Sequence, residues 1–201
     1  MIVTISNEYG SGALAIAQRA ASQLNYLFVD QQLPVVVAKR LAISPEAVDA
    51  MEDTSQNLGE RLMTGLEMGT PELASLETGL LGRDCLREVQ TAVRDFAAQG
   101  NVFLFGRGAN AVLGRRDDVL RVFMHAPREW RIHHIMDGLG VDESTATAEV
   151  ERIDRARRIY MRDYYDLDWG DPSFYDLSID TARIGTERAA SVIVSAVTLW
   201  P

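Results

Sequence analysis

The sequence predicts an α/β protein with a mostly parallel, five-stranded sheet. The first observation is that five short apolar runs, rich in β-branched residues, have the length and composition of buried strands. The second is that segments with apolar residues at helical spacing separate these runs, which favours parallel pairing through right-handed crossovers. The predicted strands are residues 2–5, 26–29, 101–105, 120–124 and 177–179.

The first strand, turn and helix carry the clearest functional signal. In the turn, residues 6–12, Gly10 and Gly12 can take backbone conformations that other residues avoid. A helix predicted over residues 13–24 follows directly, so its unpaired N–H groups and the positive end of its dipole point at the crevice above the sheet. Asp30 stands at the carboxyl end of the second strand. This arrangement predicts an anion site, and phosphate is the commonest occupant of such a site.

Two nucleotide-binding patterns compete for this turn. Gly10-Ser11-Gly12-Ala13-Leu14-Ala15 fits G-x-G-x-x-A, and Asp30 follows the second glycine by eighteen residues, as in a dinucleotide site. The five residues 6–10 that separate the strand from the rest of this pattern favour instead a longer loop that wraps a phosphate. An ordinary strand–turn–helix connection is a third interpretation.

The longer loop corresponds to the P-loop pattern G-x-x-x-x-G-K-[S/T]. If Gly12 is its second glycine, Asn7 replaces the first glycine, Ala13 replaces the lysine, and Leu14 replaces the hydroxyl residue that would hold magnesium. Half of the chemistry of the pattern is therefore missing. Lys39 is the only lysine of the chain, so no shift of register can supply a phosphate-binding lysine.

Helical patterns account for most of the other segments. Ser44-Pro45-Glu46 predicts a helix start, because a capping hydroxyl precedes a proline at the first helical position. Gly69-Thr70-Pro71 predicts a break. The first of these helical patterns is a run after Pro34, through Val37, Lys39 and Leu41. The other predicted helices are residues 44–52, 58–68, 80–98, 127–136, 142–162 and 186–199.

Several motifs recur in a specific order along the chain. Besides the turn at residues 6–12, they are Gly106-Arg107-Gly108-Ala109-Asn110 and the segments 122–131, 154–158, 168–172 and 175–181. In this order and spacing the chain resembles the cytidylate kinase-like family, a branch of the P-loop nucleoside monophosphate kinases. The resemblance runs nearly end to end and is weakest between about Gln31 and Arg94.

This resemblance implies a three-layer P-loop core, a helical insert that binds the acceptor, and a helical lid that carries arginines. It implies one domain over residues 1–201, with the core at 1–30, 96–126 and 174–201, the insert at 31–95 and the lid at 127–173. The implied activity is transfer of a phosphoryl group from ATP, with Mg²⁺, to a nucleoside monophosphate such as CMP or to a similar small acceptor.

The resemblance also implies which residues form the site. The donor phosphates are expected at Tyr9, Gly10, Ser11, Gly12, Ala13 and Leu14, the acceptor at Asp30, Arg107 and Gly108, and the transferring group at the lid arginines Arg131, Arg155, Arg158 and Arg162. An arginine between two glycines can grip a phosphate through two parallel hydrogen bonds. A structural pair of Arg107 with Asp30 is the alternative.

The lid arginines have an alternative of their own. Arg155, Arg158 and Arg162 share one helix face, whereas Arg157 points elsewhere. That face can surround a γ-phosphate with positive charge, or it can be a solvated face paired with nearby acids. Magnesium ligands stay unassigned among Ser6, Ser11, Glu8 and Asp30, and the three histidines do not form a metal triad with an acid.

Composition restricts the binding partners, the disulfide content and the cellular location that we expect. The net charge of −9 argues against nucleic acid as a partner, and Cys85 alone cannot form a disulfide framework. No apolar run approaches the length of a membrane span, and the N-terminus enters a strand directly, so we expect a cytoplasmic protein. Homo-oligomer formation stays open.

Two further functions compete with the kinase. The family usually has arginine at the position of Asn7 and glycine and arginine at those of Ala13 and Leu14. These departures favour a catalytically impaired relative that binds a nucleotide as a regulatory or structural ligand. A dinucleotide-dependent enzyme is the third hypothesis, and the long turn argues against it.

Overall fold

The computed structural model describes residues 1–45 and 71–200, and within residues 71–82 only the course of the helix. The helices predicted over residues 44–52 and 58–68 lie largely or wholly outside this part of the chain. In the described residues the five predicted strands form one sheet in the order β2-β3-β1-β4-β5, and every pairing is parallel. The strands are β1 (Ile2–Asn7), β2 (Leu27–Val29), β3 (Val102–Phe105), β4 (Val119–His125) and β5 (Leu177–Asp180).

The helices agree with the predicted pattern except at their ends and where they are short. Pro71 belongs to a helix, although the sequence predicted a break there, because proline is tolerated in a first turn. Two helices of four and five residues were not predicted, since they are too short to show a period. The helices are α1 (Ala13–Leu24), α2 (Gln32–Leu41), α3 (Pro71–Ala98), α4 (Ala109–Leu113), α5 (Arg128–Leu139), α6 (Glu143–Tyr165), α7 (Thr181–Ile184) and α8 (Thr186–Thr198), with a 3₁₀ turn at Pro172–Phe174.

Helices cover both faces of the sheet, which confirms the three-layer α/β core. On one face α1 and α8 pack against strand residues such as Val3 and Phe103, and their alanines let the helices approach closely. On the other face α2, α3 and α4 pack against Ile2, Val29 and Leu104. These apolar clusters bury all of the central strands, so the sheet is a rigid base for the loops at its carboxyl edge.

A smaller apolar cluster joins α5 to α6 and extends to the end of β1. Ile132 and Ile135 of α5 pack with Ala146 and Val150 of α6, and Tyr9 packs against this cluster. The two helices therefore lie against the residues that follow β1. None of the helices in residues 1–45 and 71–200 combines the length and apolar character that a membrane span requires.

Strand order decides which loops meet. The central strand β1 lies between β3 and β4, with Ile5 opposite Phe105 and Asn7 opposite Met124. Two glycine-containing segments therefore leave neighbouring strands at the same edge of the sheet. We call them the β1–α1 loop (residues 8–12) and the β3–α4 turn (residues 106–108).

Candidate active site

The β1–α1 loop is a tight turn that opens onto the start of α1. Gly10 and Gly12 have φ of 79° and 73°, and Gly12 caps α1. The Ser11 N–H donates to the Glu8 carbonyl over 3.2 Å. In the part of the chain that the structure describes, the N–H groups of Gly10 and Gly12 have no acceptor, and the first N–H groups of a helix have none within it. The geometry fits an anion at this helix end.

The two glycines of the loop are required for different reasons. A Cβ at Gly10 would lie 2.9 Å from the Arg131 carbonyl oxygen, so α5 could not pack where it does. A Cβ at Gly12 would make only ordinary contacts, at 3.8 Å from His134 and 3.9 Å from Trp130, and there the positive φ is the constraint. The rings of Trp130 and His134 stack with centroids 4.9 Å apart and planes 10° apart. This aromatic pair flanks the start of α1.

A buried network of charges holds the loop from the side of α5 and α6. The Tyr9 N–H donates to Asp154 Oδ1 over 2.9 Å. Arg131 Nη1 donates to Asp154 Oδ2 over 2.7 Å and to the Tyr9 carbonyl over 2.9 Å, and its Nε lies 3.3 Å from Glu8 Oε2. Arg131 is 5% exposed and Asp154 3% exposed. Arg131 Nε also donates to the Ala126 carbonyl over 3.0 Å. The predicted lid residue Arg131 is therefore buried behind the loop, and its nitrogens are directed at two backbone carbonyls and two carboxylates.

The arginines of helix α6 divide into two groups by their exposure to solvent. Arg157, half-buried, donates from Nη1 to the carbonyl of Asn7 at the end of β1. The predicted lid residues Arg155, Arg158 and Arg162 are exposed. Arg158 lies over the Trp169 ring at 5.7 Å, and Arg162 donates to Asp163 over 2.8 Å. The structure thus brings to the loop the arginine that the sequence analysis had directed elsewhere.

The β3–α4 turn has an unusual backbone. Gly106, Arg107 and Gly108 have φ of 71°, 57° and 63°, so three successive residues are left-handed. For glycine this conformation is easy, whereas for arginine it costs about 1 kcal/mol. Such strain persists only where the surrounding structure holds the residue in place. It directs attention to Arg107, which the sequence predicted as the acceptor-binding residue.

Two tyrosines of α6 pack on this turn. A Cβ at Gly108 would lie 2.9 Å from the Tyr165 ring and 3.1 Å from the Tyr160 ring, and the two hydroxyl oxygens are 3.4 Å apart. Burial raises the pKa of Tyr160 well above its usual value, and the positive charge of Arg107 opposes this rise. Arg107 therefore lies within electrostatic range of the Tyr160 hydroxyl. The two tyrosines thus pack helix α6 against the β3–α4 turn.

Helix α3 and strand β2 complete the surroundings of the turn. Burial raises the pKa of Tyr165, while the hydrogen bond from Gln90 and the charge of Arg94, both on α3, act in the opposite direction. Asp30 follows β2, the neighbour of β3 in the sheet, and its N–H donates to Gln32 Oε1 over 3.0 Å. The predicted acceptor residues Asp30, Arg107 and Gly108 thus follow adjacent strands.

The residues at the expected magnesium positions do not fit a metal held by the protein. P-loop enzymes hold Mg²⁺ with the loop hydroxyl and a carboxylate after a neighbouring strand, whereas this chain has Leu14 and, after β3, Gly106-Arg107. Glu8 Oε2 accepts from the Ala126 N–H and pairs with Arg131. Among the side chains that the structure describes, no three His, Cys, Asp or Glu residues form a metal-binding group.

Ser11 connects the loop to the start of α7. Its side chain is fully buried, and Oγ has no hydrogen-bond partner among the described residues. Its carbonyl accepts a hydrogen bond of 2.6 Å from Thr181 Oγ1 at the start of α7. In this conformation the hydroxyl of Ser11 is buried and its N–H donates to the Glu8 carbonyl, so a phosphate contact through Ser11 stays a prediction. The sequence analysis assigned no site role to Thr181, Asp154 or Trp130, and it placed Arg157 away from the helix face of the predicted lid arginines. The signal available for them was that they lie in the ordered motifs.

Fold and site together define the class, a P-loop kinase fold. Among solved structures the chain is similar to an uncharacterized protein from Eubacterium ventriosum, with a TM-score of 0.70 at 18% identity over 99% of each chain. It is also similar to shikimate kinase from Bacteroides thetaiotaomicron, with a TM-score of 0.52 at 13% identity over 99% of each chain. At these identities the likeness shows the fold alone.

Sequence comparison then gives the family. The sequence model of the cytidylate kinase-like family matches residues 2–183. A cytidylate kinase from Haloarcula marismortui is 31% identical over 199 residues, which are 98% of this chain and 89% of the relative. A cytidylate kinase from Natronomonas pharaonis is 27% identical over 201 residues, which are 100% of this chain and 91% of the relative. The chain belongs to the cytidylate kinase-like family, as its motifs predicted.

Proposed function

We propose that the chain is a nucleotide kinase that transfers the γ-phosphoryl group of ATP to a nucleoside monophosphate, with CMP as the first candidate. One observation carries the proposal: helix α6 contacts both loops at the carboxyl edge of the sheet. Asp154 and Arg157 contact the β1–α1 loop and the end of β1, and Tyr160 and Tyr165 contact the β3–α4 turn. A donor at one loop and an acceptor at the other would therefore lie under the same helix. The choice of CMP follows the names of the relatives.

The donor phosphates would bind to main-chain N–H groups at the start of α1. Gly12, Ala13 and Leu14 supply these groups, Gly10 adds a further N–H from the loop, and Tyr9 and Ser11 shape the loop. Since a lysine is missing, positive charge must come from elsewhere, and the guanidinium of Arg157 is directed at the end of β1. The stacked rings of Trp130 and His134, beside Gly12, offer a flat surface for the base of the donor.

The acceptor would bind at the β3–α4 turn. Arg107 would grip its phosphate, and the strained backbone would hold the arginine in the productive position. Asp30 follows the adjacent strand and would contact the polar part of the acceptor. Arg155, Arg158 and Arg162 remain predicted lid residues, to which we add Arg157.

In phosphoryl transfer the protein mainly positions the two substrates and supplies positive charge. The acceptor phosphate is already largely ionised near pH 7, because the second pKa of a phosphate monoester is about 6, so no general base is needed. The transferring group passes through a loose transition state whose charge is spread over its oxygens. Main-chain N–H groups and arginines stabilise that charge. Magnesium would arrive with the phosphates of ATP as part of the substrate.

A coupled assay of ADP release tests this function directly. The chain is mixed with Mg·ATP and, in separate reactions, with CMP, UMP, AMP or GMP. The proposal predicts ADP release that depends on at least one monophosphate, with CMP the most effective. ATP hydrolysis that is independent of every acceptor, or no release at all, would contradict it.

A regulatory or structural nucleotide-binding role is the second candidate. Leu14, 43% exposed, occupies the position of the P-loop hydroxyl, and Ala13 that of the lysine. Loss of both groups lowers the charge that can stabilise the transition state while leaving the main-chain N–H groups in place. A melting temperature that rises with ATP, without conversion of ATP to ADP in the presence of any monophosphate, would favour this candidate.

A further inference from the structure

The electrostatics of the β1–α1 loop contain an apparent conflict. A loop proposed to bind polyphosphate has two carboxylates, Glu8 and Asp154, immediately beside it. Carboxylates repel phosphate, so neither is expected to contact the ligand. Arg131 lies between them, at 3.3 Å from Glu8 and 2.7 Å from Asp154, and balances much of their charge. The carboxylates must therefore act on the protein rather than on the phosphate.

The bonds of Asp154 and Arg131 converge on the backbone of one loop residue, Tyr9, and so hold the two peptide units that flank it. Oδ1 accepts from the Tyr9 N–H over 2.9 Å. Oδ2 accepts over 2.7 Å from Arg131 Nη1, which also donates to the Tyr9 carbonyl over 2.9 Å. Both polar groups of the Tyr9 backbone are thereby fixed by one carboxylate on α6 and one guanidinium on α5. The next residue is Gly10, where the chain turns into the left-handed region.

Stability alone does not explain a charge network at this place. A buried ion pair adds little net stability over apolar side chains of the same size, because desolvation offsets the attraction. Asp154 is 3% exposed and Arg131 5% exposed, so both have lost nearly all contact with water. What the pair supplies, and an apolar pair could not, is a fixed direction for the Tyr9 N–H and carbonyl.

We propose that Asp154 is a positioning residue for the donor phosphates. From helix α6 it holds the Tyr9 N–H directly and the Tyr9 carbonyl through Arg131, so that the N–H groups of Gly10 and Gly12 face the phosphate, and it does so without touching the ligand. The idea rests on the proposed kinase function for its kinetic consequences, but the effect on the loop itself is independent of any reaction.

Two substitutions separate the roles of the carboxylate. Asp154→Asn keeps an oxygen that can accept from the Tyr9 N–H but loses the charge that balances Arg131. Asp154→Leu keeps the volume and loses both acceptors. Glu149→Gln is the matched control, because Glu149 lies on the same helix and pairs with Arg152 at the surface. Circular dichroism and melting curves establish the temperature range in which each variant is folded.

In that range, amide hydrogen exchange of the peptide covering residues 9–14 is measured without ligand, and the Kd of ATP and the KM of ATP and of the acceptor are measured separately. We expect Asp154→Asn to raise the KM of ATP about tenfold and Asp154→Leu about a hundredfold, with the acceptor KM changed less than twofold. Loop exchange should rise in the same order, and Glu149→Gln should change none of these values.

Three outcomes would overturn the proposal. These are unchanged loop exchange in the folded Asp154 variants, equal losses for ATP and for the acceptor, and equal effects of Glu149→Gln. If Asp154→Leu does not fold, the test is the comparison of loop exchange and KM between Asp154→Asn and the control Glu149→Gln. If the native chain releases no ADP with any monophosphate, the kinase function fails, whereas the exchange measurement still tests the positioning role.

Discussion

The two loops at the carboxyl edge of the sheet are held by different kinds of contact, although one helix supports both. The β1–α1 loop is bound by charged and polar groups, with Asp154 and Arg131 fixing the Tyr9 backbone. The β3–α4 turn is covered by the rings of Tyr160 and Tyr165, which pack directly on Gly108. Polar contacts fix the directions of backbone groups, and ring packing fixes position while excluding water.

This difference matches what each loop would have to do. A loop that binds phosphate through main-chain N–H groups depends on the orientation of its peptides, for which directional bonds are suited. A turn that presents one guanidinium depends on the backbone of Arg107, whose left-handed conformation is kept by close packing. We infer that substitutions in the two loops will differ in which substrate they affect and in how much stability they cost.

The largest difference is expected between two glycines. Gly10→Ala places a Cβ 2.9 Å from the Arg131 carbonyl oxygen at a φ of 79° and should lower the free energy of unfolding by about 3 kcal/mol. Gly106→Ala, at a φ of 71° with nothing within 4 Å, should cost only about 1 kcal/mol. Urea unfolding measures both. Equal costs would mean that α5 does not constrain the β1–α1 loop.

The next prediction concerns the arginines of α6. Arg157→Met should reduce kcat/KM for ATP by about a hundredfold, since it removes a charge directed at the end of β1, a loss of about 2.7 kcal/mol in transition-state stabilisation. Arg152→Met, at the surface beside Glu149, is the control and should change it less than twofold. Arg155→Met, Arg158→Met and Arg162→Met should have smaller effects than Arg157→Met. If one of these three variants has the largest effect instead, the exposed face of α6 binds the transferring phosphoryl group.

At the other loop, Arg107→Gly should separate stability from function. Glycine relieves the left-handed strain at a φ of 57°, and the larger conformational entropy of the unfolded glycine chain offsets this gain, so the free energy of unfolding should change by less than about 1 kcal/mol. Acceptor KM should increase at least tenfold, while the KM of ATP stays within twofold. A lower melting temperature with unchanged acceptor KM would instead support the alternative interpretation, in which Arg107 is a structural partner of Asp30.

The smallest effect belongs to an ion pair outside both loops. Burial opposes ionisation of Asp176, but its hydrogen bonds with Arg121, together with the charge of that residue, hold the pKa of the carboxyl below its usual value. A lowered folded pKa contributes stability above the unfolded value of about 3.9, and this contribution is lost as the pH falls through the folded pKa.

Asp176→Asn tests how much the ion pair between Asp176 and Arg121 contributes to stability. The native chain should lose about 1 kcal/mol more than the variant between pH 6 and pH 3, because only the native chain carries the titrating carboxylate. Urea unfolding at several pH values measures the difference. ATP and acceptor KM at neutral pH should not change, and a change in either would connect this pair to the loops. Parallel pH profiles would contradict the prediction.

Much of this structure could be predicted from the sequence because it depends on local patterns. The five apolar runs are the strands, and the glycines at 10 and 12 mark the loop and the start of α1. The predicted acceptor residues Asp30 and Arg107 follow adjacent strands because parallel strands end at one edge of a sheet. The order of the motifs predicted the family.

The contacts of α6 could not be predicted in the same way. Helical spacing correctly separated Arg157 from Arg155, Arg158 and Arg162, but spacing cannot say which face meets the core. That depends on how α5 and α6 pack on Tyr9, a contact between residues far apart in the chain. Similarly, Gly10 is required by the neighbouring carbonyl of Arg131, which no local pattern reveals.

The most direct test is an amide NMR titration of the ¹⁵N-labelled chain with Mg·ATP. The central claim is that main-chain N–H groups at the start of α1 bind the donor phosphates. It predicts that the largest chemical-shift changes occur at Gly10, Gly12 and Ala13, with smaller changes in the β3–α4 turn until the monophosphate is added. Changes confined to the β3–α4 turn, with residues 8–14 unaffected by ATP, would contradict the claim.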